Sequence, residues 1–317
     1  ILSDRLGPGW FLMIGYLLCS ASGIVYFSTQ TPAGIYLGRV IQGLGEAPIW
    51  ALGPAVLSLA YPSARGRVIG IYNAAIHIGL TLGPLLGLLI APGGQGDLPF
   101  LVFAVLCLSG GILVFGFLRQ ATAPASRERP GLQQFLRVLR TRAAVFTLTG
   151  VLIYGAGYGV FLTVLPVSLT TTHGFGPTAV SLHFVQFYAA ISLSQIVAGA
   201  RSDRIGRHIF LVWGMALAAA GVASFHLVPG LWAFLPLGLA SIGLGMFCVA
   251  SIAGLNDSVP DSLKGAISGT YYLFWGAGYV LGPLAIGAAA TNAPMLAFAV
   301  LAGLFGLQAL VFQVARE

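Results

Sequence analysis

Long apolar stretches separated by short polar segments make up nearly the whole chain. Ten of these stretches are long enough, at roughly 20 residues or more, to cross the hydrocarbon layer of a membrane as a helix. A backbone segment in lipid must satisfy its own hydrogen bonds, so each stretch is predicted to be an α-helix. The ten predicted helices cover residues 9–29, 33–60, 66–91, 98–118, 144–171, 178–200, 208–228, 231–256, 264–290 and 293–315.

The composition excludes most classes of soluble protein. Charged residues make up 7% of the 317 residues and apolar residues 57%, whereas a soluble domain carries roughly 25% charged residues. So few charges cannot cover a water-exposed surface, which excludes a soluble enzyme, a disordered chain and a protein that binds nucleic acid. The expected partners are the lipid bilayer and a small-molecule substrate, and the protein is expected to be a monomer.

The basic residues indicate the orientation of the predicted helices. Of the 15 Lys and Arg residues, all except Arg39 lie in alternate loops or near the chain ends, and Arg39 lies inside a predicted helix. Basic loops resist translocation and remain on the cytoplasmic side. Both chain ends are therefore predicted to be cytoplasmic, and the expected location is the inner membrane of a bacterium.

A repeat at an offset of 199 residues divides the chain into two copies of one helical unit. The sequence SDRLG at 3–7 recurs as SDRIG at 202–206, and LGPL at 82–85 recurs at 281–284. Repeats of this kind are typical of transporters. The second copy has two helices before its SDRIG segment, so we expect two more before residue 1, which makes ten of twelve helices present. The predicted domains are an N-terminal bundle of four helices (1–118), a basic cytoplasmic linker (119–143) and a C-terminal bundle of six helices (144–317).

Three motifs make the chain resemble the major facilitator superfamily over its whole length. The family's loop motif G-x-L-a-D-r-x-G-r-r is matched in part at 2–8 and more fully at 199–207. Its R-x-x-q-G-x-g motif is matched by RVIQGLG at 39–45, and the antiporter motif g-x-x-x-G-P-x-x-G-G is matched at 79–88, where Leu88 replaces the last Gly. The resemblance implies an all-α membrane fold of two helical bundles and a secondary transporter, and it points to the drug–proton antiporter type.

The loop acids Asp4 and Asp203 are predicted to act as gating latches. An acid beside a helix N-terminus is stabilised by the dipole of that helix. In the fold that the resemblance implies, each acid faces a helix of the opposite half while the cytoplasmic side is closed. Asp4 should then lie near 263–266 and Asp203 near 64–67, whereas a solvated loop charge is the alternative for both. The predicted gating residues are Asp4, Arg5, Gly7, Asp203, Arg204, Gly206 and Arg207.

Polar residues inside the predicted helices are candidates for proton coupling and for the substrate cavity. Arg39 and Glu46 lie on nearly one helix face, about 10 Å apart along the axis, and a charge at the membrane centre costs at least ~2.5 kcal/mol. Glu46 is predicted to carry a proton, because an apolar environment favours the neutral carboxylic acid, and the resemblance implicates Arg39 in proton coupling. Gln42, Asn73 and His77 complete the predicted set, which should face the bundle interior or the interface between halves. A structural ion pair and, for His77, a plain helix contact are the alternatives.

The repeated glycines and prolines are predicted to loosen their helices and to allow close packing. Asn256, Asp257 and Asp261 are expected to be solvated loop residues. The predicted packing residues are Gly79, Gly83, Pro84, Gly87, Gly278, Gly282 and Pro283.

The sequence contains no catalytic cluster, phosphate-binding loop or metal-ligand spacing, and its three cysteines lie singly in apolar runs. We therefore expect no enzyme activity, no metal and no cofactor, with a proton gradient as the driving force. The predicted function is transport by alternating access, as proton-coupled efflux of a small amphiphilic compound. Proton- or sodium-coupled uptake of an organic anion or a sugar is the alternative, and a multi-pass membrane enzyme or receptor is least favoured.

Overall fold

Ten long helices and one short helix form the structure, a computed structural model that describes residues 8–29, 31–90, 97–121 and 132–314. Within these ranges there is no β-strand. Short 3₁₀ turns at Phe225–Leu227, Gly230–Ala233 and Asp261–Leu263 precede α9 and α10. The helices are α1 (Pro8–Ser28), α2 (Pro32–Ala60), α3 (Arg65–Ile90), α4 (Leu98–Ala121), α5 (Leu132–Leu139), α6 (Arg142–Thr171), α7 (Pro177–Ile205), α8 (Arg207–Ser224), α9 (Phe234–Asp257), α10 (Lys264–Ala290) and α11 (Pro294–Val314).

The ten long helices coincide with the ten predicted spans. Over the described residues, nine of them are long and apolar enough to cross a membrane. The tenth, α3, is 26 residues long and covers the predicted span 66–91. The chain is therefore an all-α integral membrane protein, as its hydrophobic pattern predicted.

The predicted boundary of α7 was wrong by five residues. The helix continues through Arg201 and Arg204 to Ile205, although the sequence turns polar after Ala200. Charged side chains do not stop a helix whose end reaches water. The helix ends instead at Gly206, whose φ of 95° lies in the left-handed region that favours glycine.

The second half contains the larger buried core. Helix α6 packs on α10, α7 packs on α9, and α8 packs on both α9 and α11. In the first half, α1 packs on both α2 and α4. Helices α6 and α10 approach each other closely at several glycines, among them Gly282, where an added Cβ would lie 2.5 Å from the Cα atom and the carbonyl oxygen of Ala156. Such contacts between backbones are typical of membrane helices that pack through small residues.

The two halves meet along a seam where α3 packs on α7 and α2 packs on α10. One end of this seam, where α3, α8 and α10 begin and α7 ends, carries the basic residues Arg65, Arg67, Arg201, Arg204, Arg207 and Lys264. We call this the basic end of the molecule. It carries the side chains that were predicted to form a latch.

Candidate functional site

The carboxylate of Asp203 caps the N-terminus of α3, a helix of the opposite half. Its Oδ1 accepts a hydrogen bond from the amide of Gly66, and its Oδ2 accepts one from the amide of Arg67, both at 2.8 Å. The first amides of a helix have no partner within it and carry the positive end of its dipole. The contact that was predicted between Asp203 and residues 64–67 is therefore present, and it joins the halves at the basic end.

Three further charged side chains surround this cap. Arg207 places Nη1 2.6 Å from Asp203 Oδ1 and Nε 3.1 Å from Asp257 Oδ2. From the opposite half, Arg65 places Nη1 2.5 Å from Asp257 Oδ1. The expectation of a plain solvated loop residue was thus wrong for Asp257, because it ends α9 beside the start of α3 and bridges the halves. Its side chain is 35% exposed against 11% for Asp203, so water screens its ion pairs more strongly.

Glycine at two positions allows the cap to form. A Cβ on Gly66 would lie 2.6 Å from the carbonyl oxygen of Gly199, and a Cβ on Gly199 would overlap the carbonyl group of Gly66. The backbones of α3 and α7 therefore touch directly beneath Asp203. The turn at Gly206 then starts α8 at Arg207, whose side chain points back to the cap. Arg204 is exposed and has no ion pair within the described residues.

The first copy of the latch motif, with Asp4, Arg5 and Gly7, lies outside the described residues, so its contact stays a prediction. The helix that Asp4 was predicted to approach is α10. At its start, Lys264 is buried and places Nζ 2.5 Å from Asp261 Oδ1, whereas Asp261 itself is 70% exposed. Asp261 is therefore paired, and its exposed side chain agrees with the solvated position expected from the sequence.

A chain of polar side chains runs along one face of α2, inside the membrane span. Arg39 Nη1 donates to Gln42 Oε1 at 3.2 Å, and Gln42 Nε2 donates to Glu46 Oε1 at 2.7 Å. Tyr26 of α1 donates its hydroxyl to the same Gln42 oxygen at 3.0 Å, and the Arg39 guanidinium lies 5.6 Å from the centre of its ring. Gln42 thus connects Arg39 and Glu46, which are too far apart for a direct bond.

These side chains differ in how much of their surface is buried. Gln42 and Glu46 are half-buried, whereas Arg39 is exposed and is not enclosed by the described residues. The sequence predicted that Arg39 faces the bundle interior, but the described residues do not enclose it. Within them, its partners are Gln42 and the ring of Tyr26. Sequence reasoning missed Tyr26, because a tyrosine in an apolar run gives no signal of a polar contact.

Asn73 and His77 form a second polar group, at the seam. They are 2% and 5% exposed, as expected for residues that face the opposite half. Asn73 Nδ2 lies 3.8 Å from the Sγ atom of Cys248, and His77 Nδ1 lies 2.7 Å from the carbonyl oxygen of Asn73. The His77 ring lies between Tyr158 and Tyr188, at centroid distances of 6.1 Å and 6.0 Å. No hydrogen bond joins this group to Glu46 within the described residues.

The glycines of the two Gly-Pro motifs differ in their contacts. A Cβ on Gly278 would overlap the carbonyl oxygen of Leu152, so that Gly278 and Gly282 both set the contact of α10 with α6. A Cβ on Gly79 or Gly83 would meet no described atom within 4 Å. Pro84 and Gly87 lie in α3, and Pro283 lies inside α10.

The profile of the Major Facilitator Superfamily matches this chain at residues 1–168 and again at 147–317. The two matches together cover every residue and follow the repeat. The chain belongs to the major facilitator superfamily. This family consists of transporters, so the protein is a transporter of small solutes and not an enzyme.

Two relatives of the chain are named after chemically different compounds. The chain is 24% identical over 293 residues to the fosmidomycin resistance protein of Escherichia coli (strain K12), covering 89% of this chain and 70% of that protein. It is 22% identical over 298 residues to the synaptic vesicular amine transporter of Bos taurus, covering 92% of this chain and 57% of that protein.

The crystal structure of the human organic anion transporter MFSD10 (TETRAN) has the same fold. The TM-score is 0.81 at 20% sequence identity, covering 98% of this chain and 78% of that one. The likeness confirms the expected major facilitator fold.

Proposed function

We propose that this transporter exports a small amphiphilic organic compound across the inner membrane of a bacterium in exchange for protons. The basic end and both ends of the chain are then cytoplasmic. The protein acts as a monomer, and the proton gradient is the driving force without a cofactor. The observation that carries the proposal is the chain of Arg39, Gln42 and Glu46 on α2.

This chain supports proton coupling because it places an ionisable carboxyl group inside a membrane span. The Glu46 carboxyl group is half-buried, and its Oε1 accepts a hydrogen bond from Gln42 Nε2. Ionisable residues at such positions commonly mark proton or substrate pathways. Arg39, joined to the same Gln42, can stabilise the deprotonated carboxylate through the bridge.

The Asp203 cap supports the conformational change that alternating access requires. It closes the basic end by joining α3 of one half to the end of α7 of the other. Alternating access by rocking of the two halves requires this contact to break when the cytoplasmic side opens. Similarity to a resistance protein and the Gly83-Pro84 motif support export as the direction.

The test is substrate-driven proton movement in vesicles. Full-length protein is reconstituted with a pH-sensitive dye inside, ethidium and 4-phenylbutylamine are added as amphiphilic probes, and proton release is followed. Glu46→Gln should abolish proton release, because a glutamine side chain at this position cannot take up and release a proton. Glu46→Asp, which keeps the carboxyl group, should retain part of the proton release.

Two results would contradict the proposal. Proton release by the Glu46→Gln protein at the wild-type rate would exclude Glu46 as the coupling acid. Absence of any probe-driven proton release in the wild-type protein would exclude proton-coupled export of amphiphilic compounds.

A further inference from the structure

Aromatic side chains from both halves form a continuous surface at the middle of the seam. Trp50 of α2 lies 5.7 Å from the ring of Tyr272 and 6.4 Å from that of Trp275, nearly parallel to the latter at 27°. Trp275 in turn lies 5.3 Å from Tyr279, one turn further along α10, at an angle of 31°. We call these four residues, Trp50, Tyr272, Trp275 and Tyr279, the aromatic wall.

The wall is fixed in place but incompletely covered. Behind it, Tyr158 of α6 is 5% exposed and contacts both Trp275 and Tyr279 at 5.6 Å and 6.3 Å. A Cβ on Gly155 or Gly159 of α6 would overlap the carbonyl oxygens of Trp275 and Tyr279, so the backbone of α10 has little freedom to move there. The four wall residues themselves are only half-buried.

The wall also offers polar groups that the described chain leaves free. The hydroxyl groups of Tyr272 and Tyr279 make no hydrogen bond within the described residues. Half-buried rings with free hydroxyl groups, held on a rigid backbone at mid-membrane, are typical of a surface that a ligand completes.

The charge nearest to the wall along α2 is negative. Glu46 precedes Trp50 by four residues, which places it on the same helix face, about 6 Å away along the axis. Arg39 precedes Trp50 by eleven residues, which corresponds to about 16 Å, and Lys264 lies at the same axial distance from Trp275. A bound molecule whose ring rests on the wall therefore has a carboxylate, and not a cation, within reach of its polar end.

We propose that the aromatic wall binds a flat aromatic ring of the substrate while Glu46 binds a basic nitrogen attached to it. The inference rests on the proposed transport function and specifies its substrate class as aromatic organic cations. Aromatic rings attract other rings and cations through their quadrupole, an attraction that a saturated ring of the same size lacks. An anionic group at this surface would lie near the Glu46 carboxylate and be repelled by it.

Three matched compounds test the chemistry directly. The dissociation constants of 4-phenylbutylamine, 4-cyclohexylbutylamine and 4-phenylbutyrate are measured by calorimetry with the full-length protein at one pH. The phenyl amine should bind about three- to tenfold more tightly than the cyclohexyl amine. Because the cyclohexyl ring is at least as apolar, this preference would report the aromatic contact. The carboxylate should bind at least about tenfold more weakly than the phenyl amine.

Variants then locate the contact. Trp50→Leu and Trp275→Leu should remove the preference for the phenyl ring, whereas Trp275→Phe should keep it. The matched control is Trp213→Leu, because Trp213 is 57% exposed on α8, away from the seam; it should leave all three constants unchanged. The inference is overturned by equal affinities for the two amines, by tighter binding of the carboxylate, by a phenyl preference that survives both leucine variants, or by no binding of any compound.

The ratio of the dissociation constants of 4-phenylbutylamine and 4-cyclohexylbutylamine does not depend on proton coupling. A protein that keeps the phenyl preference but releases no protons would contradict the proposed export mechanism and leave the aromatic wall intact. A protein that releases protons with ethidium but has no phenyl preference would contradict only the wall.

Discussion

The two Gly-Pro helices, α3 and α10, are equivalent in the sequence repeat but differ in their surroundings. On α10, the Gly282 backbone lies directly against Ala156 of α6 in the same half. On α3, a Cβ at Gly79 or Gly83 would meet no atom of the described chain within 4 Å. The same motif therefore fixes one helix inside its own half, whereas the described residues provide no such neighbour for the other.

The first residues of α3 and α10 also differ in whether their partners lie in the same half or in the opposite half. The first amides of α3 are bound by Asp203 of the opposite half, whereas α10 begins at Lys264, which pairs with Asp261 of its own half. Thus α3 is held by a contact that crosses the seam, whereas the ion pair at the start of α10 stays within one half. Equivalent helices of a repeat thus make contacts within one half in one copy and across the seam in the other.

The largest effect should come from filling the packed glycine. Gly282→Val should destabilise the full-length protein by about 1–3 kcal/mol or more, because the added atoms meet backbone that cannot move aside. Gly83→Val should cost clearly less. The measurement is thermal unfolding of the purified protein in detergent. Gly303→Val is the control, since a Cβ at Gly303 on α11 meets nothing within 4 Å; an equal loss for Gly83→Val and Gly282→Val would break the comparison.

The fold and part of the site could be predicted because they depend on local sequence. Ten apolar stretches of sufficient length permit only helices in lipid. The contact between Asp203 and α3 followed from the family resemblance, which implies that this acid faces a helix of the opposite half, and from the free amides at a helix start. Because the resemblance supplied the partner helix, the rotation of the helices against each other did not have to be derived.

The contacts that sequence reasoning missed depend on that rotation. Asp257 and Arg65 are separated by 192 residues and belong to different halves. Helical spacing placed Glu46 and His77 each on a face, but the spacing does not specify which neighbour the face meets. The structure directs His77 to Tyr158 and Tyr188 and joins Glu46 to Gln42 and Arg39.

An intermediate effect is expected from the contact that crosses the seam. Asp203→Asn removes the charge that interacts with the helix dipole and should favour the state with an open basic end by about 0.5–2 kcal/mol, or several-fold to roughly thirtyfold in population. Accessibility of a cysteine introduced in the cavity to a cytoplasmic reagent measures this shift. Asp261→Asn, an exposed acid whose ion pair stays within one half, is the control and should shift it less.

The first copy of the motif sharpens the same comparison. Asp4→Asn should increase cytoplasmic accessibility as Asp203→Asn does, if both acids cap a helix of the opposite half. No change on replacing Asp4 would restrict the latch to one half. No change on replacing Asp203 would mean that its hydrogen bonds to Gly66 and Arg67 do not bias the two states.

The smallest effect should come from Asp257, which bridges the halves through side chains alone. Asp257→Asn removes the ion pairs with Arg65 and Arg207 but leaves the Asp203 cap in place. Because the Asp257 side chain is 35% exposed, the shift toward an open basic end should stay below about 1 kcal/mol. Raising the salt concentration from low to about 1 M should reduce this shift further, since exposed charges are screened over a few ångströms there, while the effect of Asp203→Asn should persist. If salt reduced the accessibility shifts of Asp203→Asn and Asp257→Asn equally, the Asp203 cap would be no better shielded from salt than the ion pairs around it.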